Sequence, residues 1–143
     1  MTTVHKTALV PYSAEQMYAL VNDVNAYPEF LPWCASTRVL HQTDKTMSAE
    51  LTMKAGKISQ SFTTSNTMIP GKSIEVGLVK GPFKRLTGGW NFQQEANGHC
   101  LITLDMTFEF KNRLLKMALE KVFNTITNNL VQSFTERAKT VYG

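Results

Sequence analysis

Apolar residues change their spacing along this chain, and each spacing predicts a different kind of element. From residue 112 to residue 142 they recur every three or four positions, which at about 100° per residue places them on one broad helical face. Asn112 precedes this run as an N-cap, since its side chain can accept from the free N–H groups of a first turn. The pattern predicts one long amphipathic helix, and its apolar side must be covered by another layer. The apolar positions are Leu115, Ala118, Leu119, Val122, Phe123, Ile126, Leu130, Phe134 and Val141.

Between Trp33 and Phe110 apolar and polar residues alternate instead, which predicts strands. Because the turns between these strands are short, consecutive strands should be antiparallel neighbours in a meander. Asn97-Gly98 is a strong hairpin signal before the last strand. The predicted strands are 33–41, 47–54, 58–68, a run around 74–78 that ends at Gly81-Pro82, 86–92 and 100–110.

The first 31 residues predict one more strand, over 2–10, and two short helices. Ser13 and Gln16 form a capping-box pattern that opens the first helix, which should run to about Asn22. A second short helix is predicted over 25–31. Together these elements predict an α+β fold, in which a twisted seven-stranded antiparallel sheet curls around the long C-terminal helix. The two short helices after strand 1 should close one end.

Composition places the chain among ordinary globular proteins. Its 143 residues suit a single domain, 1–143, and 43% of them are hydrophobic. The net charge of +4 is compatible with an anionic partner such as RNA or a lipid headgroup, without requiring one. The N-terminus has no signal-peptide pattern, and no stretch approaches the roughly 20 apolar residues that cross a bilayer. We expect a cytoplasmic protein whose thiols are reduced. The protein is either free in the cytoplasm or bound at the surface of the inner membrane.

Side chains suited to catalysis are few. The three histidines lie at predicted strand ends and turns, without metal-ligand spacing. Asp105 and Glu109 have the outward parity of their strand, so they should face solvent rather than form an internal acid–base pair. Cys34 is better explained as an inert buried thiol than as a nucleophile. No nucleotide-binding or hydrolase motif is present. These features predict a binding protein that is not an enzyme and has no metal or resident cofactor.

Several motifs resemble those of a known family over almost the whole chain. The most specific is Tyr-Pro-Glu-Phe-Leu-Pro-Trp-Cys at 27–34. These motifs are similar to those of the coenzyme Q-binding protein family, which includes bacterial ribosome association toxins and lies within the polyketide cyclase and lipid-transport (START-like) superfamily. The resemblance implies a helix-grip roll, in agreement with the architecture predicted above. The other matching segments are 10–18, 81–86, 89–92, 108–111 and 134–142.

The resemblance implies two functions, and the sequence does not choose between them. The first hypothesis is a non-enzymatic START-like lipid-binding domain that holds a polyisoprenoid quinone (ubiquinone) or similar lipid and supports respiration. The alternative is a ribosome association toxin that binds the large ribosomal subunit and blocks subunit joining, which inhibits translation. An aromatase- or cyclase-like enzyme has less support, because internal acid–base groups are missing.

A hydrophobic pocket is predicted between the sheet and the long helix. Apolar residues crowd the junction after the second short helix, where a loop is ordinarily polar, so they either rim a cavity mouth or plug the end of the core. Small residues at expected inward positions (Ala49, Gly88, Ala118, Ser133) favour a cavity, since packed cores are normally filled by large side chains. The predicted ligand-binding residues are Phe30, Leu31, Trp33, Phe62, Phe83, Leu86, Trp90, Phe108, Leu119, Val122 and Phe123.

Basic residues form two clusters in the sequence, one around Gly81-Pro82 and one at the start of the long helix. They are either ordinary solvated charges or a positive surface for RNA phosphates or anionic headgroups. Few aromatic residues are interleaved with them, so sequence-specific reading of single-stranded RNA is not expected. DNA is not an expected partner. The predicted contact residues are Lys80, Lys84, Arg85, Lys111, Arg113 and Lys116.

Overall fold

A seven-stranded antiparallel sheet wraps around one long helix in the computed structural model, which describes residues 1–143. Two short helices follow the first strand. The predicted helix-grip α+β fold is therefore confirmed. None of the helices is long and apolar enough to cross a membrane. The elements are β1 (Thr2–Val10), α1 (Ala14–Asn22), α2 (Tyr27–Phe30), β2 (Cys34–Gln42), β3 (Thr46–Ala55), β4 (Ile58–Ile69), β5 (Ser73–Lys80), β6 (Phe83–Gln94), β7 (Cys100–Phe110) and α3 (Arg113–Tyr142).

The strand order is β1-β7-β6-β5-β4-β3-β2, so strands β2 to β7 form the predicted meander. β1 adds to its end beside β7, in an unbroken register from Thr2 opposite Phe108 to Val10 opposite Cys100. One end of the sheet therefore carries the start of β1, the end of β7 and the start of α3. The other end carries α1 and the last turns of α3.

The long helix begins as predicted. The Asn112 side chain accepts a hydrogen bond from the backbone N–H of Leu115 at 2.9 Å. Two positions assigned to its apolar face are wrong, because Ala118 and Val141 are exposed. Ala118 lies roughly 150° around the helix from the centre of the buried stripe, too far to reach the sheet. The buried stripe consists of Leu119, Phe123, Ile126, Thr127, Val131, Phe134 and Ala138.

The short helices close the end of the roll that holds the last turns of α3. α1 has the predicted capping box between Ser13 and Gln16. The helix predicted over 25–31 is a 3₁₀ turn at Val24–Ala26 followed by the single turn α2. The Tyr142 hydroxyl donates to the Gln16 carbonyl at 3.0 Å, which fastens the end of α3 to α1.

A bulge at the start of β6 shifts the boundary predicted for that strand. The prediction began this strand at residue 86, but β6 begins at Phe83, which is buried. Lys84 is the extra residue, since Phe83 pairs with Phe110 while Arg85 pairs with Glu109. The bulge leaves both Lys84 and Arg85 exposed on the outside of the roll.

Candidate functional site

An apolar cavity of about 100 Å³ lies between the sheet and the middle of α3. Its volume is close to that of a dry cavity that admits one benzene ring, and well below the roughly 300–1,000 Å³ of ordinary ligand sites. In this conformation the cavity, here called the inner cavity, accommodates a single ring. Its lining is Val24, Tyr27, Trp33, Leu51, Phe62, Thr64, Asn66, Val76, Leu86, Trp90, Leu104, Met106, Phe123, Ile126, Thr127, Leu130 and Phe134.

Three polar side chains line the inner cavity, and none is acidic or basic. The Thr127 hydroxyl donates to the Phe123 carbonyl at 3.0 Å, so it is satisfied within the helix. The Oδ1 atom of Asn66 is buried without a hydrogen-bond partner. A buried polar atom is expected to have a partner, so Asn66 is the position where a ligand donor would be stabilised.

A second depression lies outside the inner cavity, along α3. This outer groove has a volume of about 480 Å³ and is bounded by Pro32 and Trp33 on one side and by α3 on the other. Trp33 and Ile126 line both spaces and therefore form the partition between them. Moving the Trp33 indole would join the inner cavity to the groove. The α3 residues of the groove are Lys121, Val122, Thr125, Ile126, Asn129 and Ser133.

The structure brings five of the eleven predicted ligand residues together around the inner cavity: Trp33, Phe62, Leu86, Trp90 and Phe123. Val122 lines only the outer groove. Phe30, Leu31, Phe83, Phe108 and Leu119 line neither space. Whether the five lining residues bind a ligand stays a prediction.

Phe83 and Phe108 belong to an aromatic cluster that fills the roll near the start of α3. The Phe83 ring stacks on Phe110 with centroids 5.1 Å apart, and Phe108 meets Phe123 edge-on at 4.7 Å. Such pairs add stability beyond the area that they bury. Phe83 therefore closes the core at this end rather than rimming a cavity mouth.

The segment 27–34 is held against α3 on its other side. The Tyr27 and Phe30 rings both meet Phe134 edge-on, at 5.4 and 5.3 Å. The Arg137 guanidinium lies 4.9 Å from the Phe30 ring centre and bonds Glu29 at 3.4 Å. These contacts fix the wall that carries Trp33.

Burial also sets the reactivity of Cys34, the cysteine of this segment. Burial raises the pKa of the Cys34 thiol to about 11, which keeps it protonated at neutral pH. A protonated thiol is a poor nucleophile, as the sequence predicted. His5 pairs with Asp105 on the exposed face of the sheet, away from the inner cavity. No group of three or more His, Cys, Asp or Glu side chains is placed to hold a metal ion.

Five of the six predicted basic residues line two adjoining depressions at the start of α3. Lys84, Lys111, Arg113 and Lys116 line the same depression beside the start of α3. Lys80 shares an adjoining depression with Lys111. Arg85 is the next residue along β6 and is also exposed. The six residues Lys80, Lys84, Arg85, Lys111, Arg113 and Lys116 are called the basic end below. Glu109 and Glu120 are the only carboxylates that share the depression at Lys84.

Sequence reasoning missed two features of these surfaces. Asn66 was not recognised, although it has the same inward parity on β4 as Phe62 and Met68. Leu114 and Met117 were also missed, and they are exposed on the outer side of α3. Their position could have been read from the helical wheel, since both lie far from the stripe that contains Leu119.

Comparisons with known proteins agree with this architecture. The chain is 48% identical over 143 residues to "Ribosome association toxin RatA" of Vibrio cholerae, with 100% of this chain and 99% of that protein covered. It is 27% identical to "Coenzyme Q-binding protein COQ10 homolog B, mitochondrial" of Xenopus laevis, over 96% of this chain and 58% of that protein. The aromatase/cyclase Zhui from Streptomyces sp. R1128 has the same fold, with a TM-score of 0.85, 14% identity and coverage of 96% and 93% of the two chains.

The family resemblance in the sequence is therefore confirmed. A family model described as polyketide cyclase / dehydrase and lipid transport matches residues 10–135. This match spans every element from the end of β1 to the last turns of α3. The chain belongs to the polyketide cyclase/dehydrase and lipid transport family.

Proposed function

We propose that the protein associates with ribosomes, binding the large subunit and preventing the subunits from joining, which inhibits translation. The observation that carries this proposal is the similarity to a ribosome association toxin at 48% identity over both full lengths. The similarity to a coenzyme Q-binding protein is lower, at 27%. The ribosome is therefore the better supported partner of the two that the sequence left open. This function requires a cytoplasmic location.

The basic end is the surface that suits ribosomal RNA. Six cations gather around the start of α3, where the helix dipole adds a positive partial charge. Lys116 lies 3.8 Å from Glu120, but both side chains are largely exposed, so the pair is weak and Lys116 can reach a phosphate. Contacts of this kind position a protein on RNA through phosphates.

The basic end offers little for reading single-stranded bases. Its nearest aromatic side chains, Phe83, Phe108 and Phe110, are buried in the core and cannot stack on an unpaired base. Recognition of single-stranded RNA sequence depends on such stacking. We expect the protein to recognise the shape and phosphate arrangement of folded RNA.

A charge reversal tests this proposal. Replacing Lys80, Lys84 and Arg85 together by Glu should abolish co-sedimentation with purified large subunits. The matched control reverses Lys45, Lys72 and Lys139, which are exposed at turns or at the far end of α3 and change the net charge equally. The control should bind like wild type, and wild-type affinity should fall about 10³-fold between 50 and 200 mM salt if roughly six phosphates are contacted. If both variants lost co-sedimentation equally, the loss would be explained by net charge alone. That result would overturn the proposed role of the basic end.

We further propose that the protein acts by binding and is not an enzyme. The inner cavity is lined by apolar side chains, threonines, one asparagine and Tyr27, whose pKa is raised by burial and whose hydroxyl donates to the Val21 carbonyl. General acid–base catalysis needs a group that titrates near the working pH, and none of these side chains does. Turnover of an aromatic polyketide by the purified protein, lost in Asn66→Ala, would contradict this proposal.

A second candidate function is the binding of a quinone or similar lipid, and the inner cavity favours it. Only the ring of such a molecule fits a space of about 100 Å³, where the Asn66 amide could donate to a quinone carbonyl or its Oδ1 could accept from a hydroxyl of the reduced quinol. An isoprenoid tail would have to leave past Trp33 into the outer groove. Trp33 fluorescence should therefore change when a short-chain ubiquinone is added.

The Trp33 partition provides the variants for this test. Trp33→Ala should weaken quinone binding measured by equilibrium dialysis, whereas Leu40→Ala should not, because Leu40 is exposed on β2 and lines neither space. The quinone proposal would be wrong if wild-type protein had no measurable quinone affinity, or if both variants lost affinity equally. Neither result would bear on the proposed ribosome association.

A further inference from the structure

Two large apolar side chains stand in solvent at the start of α3. Leu114 is 76% exposed and Met117 is 78% exposed, more than any other large apolar residue of the chain. They are three residues apart in a helix, so they are neighbours on the same outward stripe. Ala118 is exposed beside them. These three residues are called the apolar tip.

The apolar tip is confined to the first two turns of the helix. Further along the same outward stripe the residues are polar, namely Lys121, Thr125, Asn128 and Gln132. Leu114 and Met117 are not needed for the core, because the inward stripe already supplies buried residues from Leu119 onward. Within the chain, these two side chains therefore have no packing role.

Two cations flank the apolar tip. Arg113 and Lys121 lie four residues before and after Met117, so both are its neighbours on the helix surface, and both are exposed. Lysine and arginine have long apolar stems, which lie along an apolar surface while the charge reaches outward. Apolar side chains flanked by cations are an arrangement by which surface-bound proteins contact anionic bilayers.

We propose that the apolar tip docks on the surface of an anionic lipid bilayer. Leu114 and Met117 enter the boundary between headgroups and acyl chains, and Arg113 and Lys121 contact lipid phosphates. RNA phosphates would satisfy the cations but would leave both apolar side chains in water. Lys121 also borders the outer groove, so the docked protein has this groove next to the membrane. The inference does not rest on ribosome association, although both partners would compete for Arg113.

Vesicle co-sedimentation tests the proposal. The wild-type protein should bind vesicles of 30% phosphatidylglycerol in phosphatidylcholine about tenfold more strongly than vesicles of phosphatidylcholine alone. The double variant Leu114→Gln/Met117→Gln should lose about tenfold in partitioning to the anionic vesicles. The matched control is Leu9→Gln/Ile69→Gln, which removes two exposed apolar residues of β1 and β4 and should bind like wild type.

The outcomes separate this surface from the proposed ribosomal contact. The tip variant should keep its circular dichroism spectrum and its co-sedimentation with large subunits. Wild-type protein that does not bind anionic vesicles at 100 mM salt would overturn the proposal, as would equal loss in both double variants. Loss of ribosome binding in the tip variant, without vesicle binding by wild type, would assign the tip to the ribosome instead.

Discussion

The two halves of α3 are held in different ways. The second half, from about Val131 onward, is fastened by side chains of α1 and α2. Phe134 is enclosed by Tyr27, Phe30 and Trp90. In the first half, the inward side meets the aromatic cluster and the inner cavity, while the outward side presents the apolar tip and cations.

This difference indicates where structure and function are separated along one helix. The second half has ring contacts, an ion pair and the Tyr142 hydrogen bond to Gln16, all of which position it within the fold. The first half borders every candidate site: the inner cavity, the outer groove, the basic end and the apolar tip. From the second half, only Phe134 reaches the inner cavity and only Ser133 reaches the outer groove. Substitutions in the second half should change stability, and outward substitutions in the first half should change binding.

The strongest test of this contrast is Phe134→Ala. Phe134 is 1% exposed and meets three rings, so its loss should lower the free energy of unfolding by about 3–5 kcal/mol. Met117→Ala in the first half should change it by less than about 0.5 kcal/mol. Urea unfolding of both variants provides the comparison. Similar losses would mean that the tip is part of the folded core and would break the contrast.

A second comparison, within the inward side of the first half, detects the cavity. Leu119 lines neither the inner cavity nor the outer groove, and Leu119→Ala should lower the free energy of unfolding by about 2–5 kcal/mol. Ile126 borders both spaces, where its side chain lacks neighbours, so Ile126→Ala should cost only about 1–2 kcal/mol. An Ile126→Ala loss as large as that of Leu119→Ala would indicate that the space beside Ile126 is packed.

The sequence predicted the architecture because hydrophobic spacing and turn chemistry agreed with each other. β1 and β7 have the predicted bounds, since the alternation, loose in β1 and regular in β7, ends at a clear turn in each. β6 was misjudged at its start, because the bulge at Lys84 breaks the period of two between Phe83 and Leu86. Local patterns cannot show such a bulge, which depends on pairing with a distant strand.

The candidate site was only partly predictable. Trp33 was assigned to the pocket because apolar residues crowd a junction that is ordinarily polar, and Trp33 does line the inner cavity. Leu31 was assigned by the same rule yet lines neither space, since the rule finds the segment and not which of its side chains reaches the cavity. Asn66 was missed because a polar residue in a strand is ordinarily assigned to solvent. The helical spacing along α3 shows that the residues of the apolar tip face away from the core. It does not show which partner the tip binds.

Alkaline pH should weaken the fastened end of the roll. Burial raises the pKa of the Cys34 thiol from 9.0 to about 11, and burial also raises the pKa of Tyr27, whose hydroxyl donates to the Val21 carbonyl. A raised pKa means that the fold favours the protonated group. This stability is complete below pH 9 and is lost as the pH rises through the folded-state pKa of about 11.

For the thiol alone we expect a loss of about 1–2 kcal/mol in the free energy of unfolding between pH 9 and 11. Urea unfolding across this range measures it. Cys34→Ala should show a shallower decline with pH than wild type. An identical pH dependence in both proteins would show that Cys34 does not contribute.

The smallest predicted effect concerns the contact of Arg137 with α2. Arg137 bonds Glu29 at 3.4 Å and lies over the Phe30 ring, but Glu29 is largely exposed, so water screens the ion pair. Arg137→Gln should therefore lower the free energy of unfolding by only about 1 kcal/mol, most of it from the lost contact with the ring. The control Arg113→Gln removes an exposed cation from the first half and should cost less than about 0.5 kcal/mol.

Because α2 carries the wall that leads to Trp33, Arg137→Gln should also increase quenching of Trp33 fluorescence by acrylamide, while Arg113→Gln should not. Increased quenching in both variants, or in neither, would mean that Arg137 does not hold α2 in place and that the second half of α3 is fastened by its ring contacts alone.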